Sequence, residues 1–210
     1  MDPISIAAIT LALAAMADGY PQAPKESKLR QLIDFLAAQA AMIHNMRKMG
    51  PDRYTSVVDY ILDRGKYYQA QELSQEQLDY LDQVMERSGY FFAPRECFSN
   101  AQYALLFDVE NRMAYVEGYA HGQAPIPVHH GWLTIDGAPV EITWRDHSSN
   151  RSGPMIQPKL DFAYFGVEFD RDDLARQMFE KQFLGTVIDD WEAGWPELQK
   201  PRKRAFPVSD

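Results

Sequence analysis

Three residues of types that catalyse acyl transfer lie in the second half of the sequence. Cys97 is the only cysteine in the chain, and His130 and Glu141 follow it in that order. A thiolate, an imidazole and a carboxylate are the groups that attack an acyl carbon, move the proton and orient the base. A lone thiol forms no internal disulfide, and structural zinc sites draw on several cysteines or clustered histidines. Cys97 is therefore a small buried apolar group or a nucleophile.

The residues around Cys97 favour the nucleophile. Pro94 precedes an apolar pattern that runs to Phe107 and predicts a helix, with Cys97 in its first turn. The positive end of a helix dipole favours an anion, so a thiol placed there ionises more readily. Arg95 adds a positive charge nearby.

A hairpin is predicted downstream of the cysteine helix. Residues 126–135 and 138–144 are rich in β-branched and aromatic side chains, and Asp136-Gly137 between them is a strong signal for a two-residue turn. With that turn, one face of the hairpin carries His130, Trp132, Glu141 and Thr143.

This register decides whether the histidine and the acid meet. The diagonal pair His130 and Glu141 would lie about 7 Å apart, within reach of long side chains. A three-residue turn would instead put the two on opposite faces. His129 points away from His130, and we expect His130 to face Cys97 because it shares a face with Glu141. The alternative is a hydrogen-bonded surface histidine beside a solvated glutamate.

The order of these motifs resembles the papain-like and transglutaminase-like superfamily. The chain has Cys97 at a helix start, then His130-Gly131-Trp132, then Glu141-Ile142-Thr143-Trp144. It is also similar to uncharacterised phage and bacterial proteins that combine Cys-aromatic-x-Asn-Ala, Tyr-Val-Glu-Gly-Tyr (residues 115–119 here) and His-x-Trp before Thr-Trp. The resemblance covers the chain from Glu96 to Val167.

The resemblance implies that Cys97 is the nucleophile, His130 the general base and Glu141 the orienting acid. Glu141 departs from the aspartate that is usual in transglutaminase-like members, and the oxyanion would rely on the amide of Cys97, with Asn100 or Gln102 as further candidate donors. The residues expected to contact substrate are Asn100, Glu117, Trp132 and Trp144. Two of these have plainer alternatives, since Asn100 could cap or pack the helix and Glu117 could be an edge-strand charge.

The pattern of elements predicts an α+β fold, with helices first and a small antiparallel sheet packed on the cysteine-bearing helix. Helices are expected over residues 26–49 and 53–64, and from a capping box at Ser74 to about Ser88. Strands are expected over 113–121 and 162–169, followed by a helix over 170–182. This gives a helical part at 1–90, a catalytic-type part at 91–195 and a basic flexible tail at 196–210.

Composition limits the partners and the setting. A net charge of −9 argues against nucleic-acid binding, which depends on Lys and Arg contacts to phosphates. The apolar stretch at residues 1–19 lacks a preceding Lys or Arg and is too short to span a bilayer, so we expect a helix that packs on its own domain or on another copy. Export and peripheral membrane binding are the alternatives. We expect a cytoplasmic protein, in the host cytoplasm if phage-encoded.

These observations predict a thiol-dependent hydrolase or acyl transferase acting on an amide or ester, of the amidase, peptidase or deamidase type. The expected substrate is a protein, a peptide or a small amide, and no cofactor or metal is expected. The alternative is a protein-binding module, of phage origin, that retains a residual triad without turnover.

Overall fold

The structure is a computed structural model of the full chain, and it describes residues 27–47, 53–89, 93–122, 124–144, 160–181 and 184–203. The predictions for the N-terminal apolar helix and for the end of the basic tail lie outside these residues. The described part of the chain contains no helix that is long and apolar enough to cross a membrane. It forms two compact units, and the chain passes from the first to the second after Gly65 and returns to the first at Val187.

The first unit consists of the described residues up to Gly65 and from Val187 onward. Helix α1 spans Lys28–Arg47 and helix α2 spans Val57–Arg64, with Ser56 as its N-cap. A 3₁₀ helix spans Pro196–Gln199. Helix α1 buries one apolar stripe, as its spacing predicts: Leu29, Leu32, Ile33, Leu36, Ala37, Ala40 and Ala41.

The start of the predicted C-terminal tail is folded against α2. Nη1 of Arg202 lies 2.6 Å from Oδ2 of Asp59, and both side chains are buried. The backbone N–H of Lys203 donates to Asp63. The sequence predicts a flexible basic tail from residue 196. The start of that tail instead supplies a buried ion pair in this unit.

The second unit, Lys66–Thr186, holds helices and one antiparallel sheet. Its elements, in chain order, are β1 (Lys66–Tyr68), α3 (Gln75–Ser88), α4 (Cys97–Leu105), β2 (Met113–His121), β3 (Val128–Ile135), β4 (Ala138–Val140), β5 (Ala163–Phe169) and α5 (Arg171–Lys181). The sheet order is β1-β5-β2-β3-β4. The fold is therefore α+β, as predicted, and α4 packs against β2 and β3.

Several local predictions are confirmed. Ser74 and Gln77 form the capping box of α3, in which each side chain bonds the other's backbone N–H. Helix α4 begins at Cys97, and β2 spans the predicted residues.

Two predictions need correction. The segment before Cys97 is not all helical, because β1 pairs with β5 through residues about a hundred positions away, from Lys66 opposite Gly166 to Tyr68 opposite Tyr164. The strand predicted over 138–144 ends at Val140. It ends there because the carboxylate of Glu141 accepts the backbone N–H groups of Thr143 and Trp144, which directs the chain into a bend.

Candidate active site

Cys97 is the first residue of α4 and is largely buried, with 8% of its surface exposed. Two residues earlier, Arg95 has φ of 71°, in the left-handed region that non-glycine residues seldom adopt. Backbone strain of this kind is concentrated at functional sites, where the surrounding structure holds it in place. The approach to the cysteine is thus a tight, strained turn that delivers Cys97 into the start of the helix.

The hairpin has the register that brings the acid near the histidine. Ile135 pairs with Ala138, and Asp136 and Gly137 have φ of 50° and 85°, the left-handed pair that a tight hairpin turn requires. The two-residue turn is therefore confirmed. Among the described residues, β4 pairs only with the end of β3 nearest the turn, and His130 lies beyond that pairing.

His130 and Glu141 form a buried pair. Nε2 of His130 lies 2.6 Å from Oε2 of Glu141, and both side chains are almost completely buried. The other carboxylate oxygen, Oε1, accepts the backbone N–H of Thr143 at 2.7 Å and that of Trp144 at 3.0 Å. Because both oxygens are bonded, the carboxylate is fixed and in turn fixes the imidazole ring.

Cys97 is close enough to His130 for its thiol to raise the pKa of the imidazole, through hydrogen bonding and charge. Since Nε2 is bonded to Glu141, Nδ1 is the ring nitrogen left for the sulfur. The three residues singled out by sequence are therefore brought together, in the order thiol, imidazole, carboxylate.

The electrostatics of the pair favour its charged form. Burial lowers the pKa of His130, but the charge of Glu141 and the hydrogen bonds with Cys97 and Glu141 outweigh it and raise that pKa from 6.5 to about 10. Burial raises the pKa of Glu141, but the charge and hydrogen bond of His130 and the two backbone N–H groups bring it below its usual 4.5. At neutral pH the imidazolium and the carboxylate are both charged.

Trp144 covers the imidazole. Its ring stacks on that of His130, with centroids 4.0 Å apart and planes 8° from parallel. Phe162 in turn packs against Trp144, with ring centroids 5.2 Å apart. The stack restrains the ring plane of His130 and places the face of an indole against a cation, which is a favourable arrangement.

Gly131 allows α4 to approach the strand that carries the histidine. A Cβ at this position would lie 2.8 Å from Cδ1 and 3.1 Å from Cα of Phe98, the residue that follows the cysteine. The glycine next to His130 therefore sets the spacing between the first turn of α4 and β3.

A second buried acid, Glu117 on β2, lies on the face of the sheet opposite His130. Oε2 of Glu117 accepts a hydrogen bond from the Tyr115 hydroxyl at 3.1 Å, and Oε1 accepts one from Thr186 and lies 3.2 Å from Nε2 of His129. Burial, together with the charge of Glu117, raises the pKa of Tyr115 well above its usual value, so the phenol stays protonated. His129 stacks on Tyr119 at 5.2 Å.

The four residues predicted to contact substrate occupy different environments. Asn100, Glu117 and Trp132 are buried, and Trp132 belongs to an apolar cluster with Tyr68, Val116, Ala120 and Tyr164. The side chain of Asn100 is hydrogen-bonded to Ala93 and Thr143. Trp144 is the one of the four that is partly exposed.

Sequence reasoning missed two residues of the site. Thr143 was placed on the face of His130 but was given no role, and it is hydrogen-bonded to Asn100. Tyr115 lies two residues before Glu117 on β2, so strand alternation alone puts the two side chains on one face. The signal for Thr143 was absent from the local pattern, because its partner lies on a distant helix.

Comparisons with known proteins bring no relative. No protein-family model matches the chain, and neither a curated protein nor a solved structure matches it. Among the described residues, no group of three or more His, Cys, Asp or Glu is placed to hold a metal ion.

Proposed function

We propose that this protein is a thiol-dependent hydrolase or acyl transferase of papain-like or transglutaminase-like type, acting on an amide or ester bond. One observation carries the proposal: a buried His130, fixed by Glu141 at 2.6 Å, lies close enough to the only thiol of the chain for that thiol to shift the pKa of its ring. A buried ionisable pair beside a nucleophile at a helix start is typical of a catalytic site.

The proposed reaction has two steps. In the resting ion pair Nδ1 of His130 holds the proton that Cys97 has given up, and the thiolate attacks the acyl carbon to form a C–S bond. The C–N or C–O bond of the substrate then breaks as the imidazolium returns the proton to the leaving amine or alcohol. In the second step His130 takes a proton from water, or from an acceptor amine, which attacks the thioester and releases Cys97.

Glu141 contributes by orientation and charge. Its hydrogen bond holds Nε2 protonated, so that Nδ1 faces the sulfur, and its charge stabilises the imidazolium that forms when the thiol ionises. The glutamate takes the place of the aspartate that is usual in transglutaminase-like proteins, and its extra methylene is accommodated because the strand ends at Val140.

The start of α4 would stabilise the oxyanion of the intermediate. The first N–H groups of a helix have no acceptor within the helix, and the amide of Cys97 is among them. Such preorganised donors stabilise the negative charge that develops on the acyl oxygen. We propose a protein, peptide or small amide as the substrate, and the cytoplasm, where thiols stay reduced, as the setting.

A second candidate function is protein binding without turnover. One observation favours it: three of the four residues expected to contact substrate are buried, and the thiol itself is only 8% exposed. In that case the three residues would be a structural remnant of a catalytic site.

The proposal is tested by trapping the acyl-enzyme. The parent protein is incubated with p-nitrophenyl acetate at neutral pH, and intact mass and peptide mapping follow acetylation of Cys97. We expect fast modification of Cys97 that becomes at least a hundredfold slower in His130→Ala, the lower end of what a general base contributes. Cys97→Ala shows the background, and circular dichroism shows that each variant is folded. Equal rates in the parent and folded His130→Ala would reject the hydrolase and leave the binding function.

A further inference from the structure

We propose that Asn100 is a positioning residue, which holds Cys97 at the His130–Glu141 pair by joining the turn before the cysteine to the bend after Glu141. This inference rests on the proposed function, and it gives Asn100 a role that does not involve contact with the substrate. Its basis is the set of hydrogen bonds made by one fully buried amide.

The amide of Asn100 is fully engaged. Oδ1 accepts the backbone N–H of Ala93 at 3.2 Å, while Nδ2 donates to the backbone oxygen of Ala93 at 2.8 Å and to Oγ1 of Thr143 at 3.0 Å. An amide side chain has two donor hydrogens and one oxygen, and each has a partner here. A side chain bonded in this way serves the protein and not a ligand.

The bonds to Ala93 hold the turn that leads into the cysteine. The backbone N–H and C=O of Ala93 are both hydrogen-bonded to the side chain of Asn100. Asn100 lies at the start of α4. Arg95, between Ala93 and Cys97, has the left-handed φ of 71°. Strain of this kind persists only where neighbouring contacts over-determine the backbone, and the Asn100 amide supplies two such contacts.

The bond to Thr143 reaches the other half of the site. The backbone N–H of Thr143 donates to Oε1 of Glu141 at 2.7 Å, and Oε2 of the same carboxylate holds His130. One uninterrupted set of hydrogen bonds therefore runs from Asn100 through Thr143 and Glu141 to His130. The helix that carries the thiol is tied to the acid that orients the base.

The function of this connection is to fix the distance between sulfur and imidazole. Misplacement of a catalytic group by about 1 Å can cost a hundredfold in rate. Among the described residues, the bond between Asn100 and Thr143 is a direct polar link between α4 and the bend that contains Glu141. Its loss should loosen the thiol–imidazole pair without removing any catalytic group.

The test is the rate of Cys97 alkylation by iodoacetamide against pH in Thr143→Val, with Thr134→Val as the matched control. Thr143→Val keeps the shape of the side chain and removes the acceptor of Asn100. Thr134 is also a buried threonine, on β3, opposite Pro139 in the hairpin. We expect Thr143→Val to lose about tenfold or more of the alkylation rate below the free-thiol pKa of about 8.5, and Thr134→Val to keep the parent profile.

A second variant separates positioning from folding. Asn100→Ala should reduce the rate at low pH at least as much, and the double variant should be no slower than Asn100→Ala, because Asn100→Ala already removes the bond that Thr143→Val breaks. Rates are measured only on protein that circular dichroism shows to be folded. If Thr143→Val keeps the parent pH profile while losing stability, Asn100 has a structural role alone and the inference fails. A parent rate that is slow and unaffected by His130→Ala would overturn the proposed function and this inference with it.

Discussion

At the scale of single residues, the site depends on a charged pair removed from water. Removing an ion from solvent is costly, and the cost is offset only when geometry and further hydrogen bonds are good. Glu141 has His130 on one oxygen and two backbone N–H groups on the other. This arrangement explains how an imidazolium is kept in the interior next to a thiol.

Glu141→Gln should destabilise the fold in a pH-dependent way. The pKa of His130 is raised to about 10, so its contribution is complete below its ordinary 6.5 and is lost as the pH rises through 10. The pKa of Glu141 is lowered, so its contribution is present above 4.5 and is lost as the pH falls through the folded value. We expect a loss of about 3 kcal/mol at pH 7, which shrinks as the pH falls below 4.5 and as it rises toward 10.

Urea unfolding of the parent and of Glu141→Gln across that pH range measures the difference in their free energies of unfolding. Thr134→Val, a buried change without an ionisable group, is the control, and its loss should not vary with pH. A difference that is flat with pH would mean that the pair is not charged in the folded protein.

At the scale of elements, the close approach of α4 to β3 places the thiol beside the histidine. The two elements approach closely at Gly131, where an added Cβ would meet both the ring and the backbone of Phe98. A clash with a side-chain atom can be relieved by rotation, but one with a backbone atom requires the helix to move.

Gly131→Ala should therefore push the helix away from the strand. We expect a loss of about 1–3 kcal/mol in the free energy of unfolding and a slower reaction of Cys97 with iodoacetamide. Adding Phe98→Ala should restore part of both, because it removes the ring atom at 2.8 Å and leaves the backbone atom at 3.1 Å. Full parent reactivity in Gly131→Ala alone would contradict this explanation of the spacing.

The elements also show what sequence patterns can and cannot predict. The helix starts at Ser74 and Cys97 and the turn at Asp136 were predictable, because capping and turn chemistry act within a few residues. The end of β4 at Val140 was not, since it depends on where the Glu141 carboxylate finds its partners. Strand β1 was missed because three residues carry too little periodicity, and its partner strand is far along the chain.

The candidate site also has features that sequence patterns predict and features that they do not. Residue type and motif order predicted that the thiol, the base and the acid would meet, but the acid reaches His130 from the bend after Val140 and not from a strand. The role of Asn100 was not predictable, because its bond to Thr143 joins a helix to a bend, and no local pattern reports such a bond. Burial of Trp132 likewise depends on the packing of the whole sheet.

At the scale of the whole molecule, the negative chain buries several of its carboxylates and gives them specific partners. Asp59 in the first unit accepts hydrogen bonds from the backbone N–H and hydroxyl of Thr55 and is paired with Arg202. The net charge of −9 therefore overstates the charge that these groups present to solvent. The basic C-terminal segment contributes to the folded unit.

Arg202→Ala should destabilise the protein far more than Lys200→Ala. Loss of the Arg202 guanidinium leaves a buried Asp59 without its cation, which costs about 3–5 kcal/mol. Lys200 pairs with Glu197 at 2.7 Å, but its side chain is half exposed, and such pairs contribute about 1 kcal/mol or less. Thermal or urea unfolding of the two variants gives the comparison, and equal losses would contradict the buried role of the C-terminal segment.

The central claim is that Cys97 and His130 form a thiolate–imidazolium pair, and the most direct measurement is the rate of Cys97 alkylation against pH. The chain has one cysteine, so iodoacetamide reports on that site without background from other thiols. We expect a fast rate that persists well below the free-thiol pKa of about 8.5 and is lost in His130→Ala. A slow rate with the pH dependence of a free thiol, unchanged in folded His130→Ala, would contradict the claim.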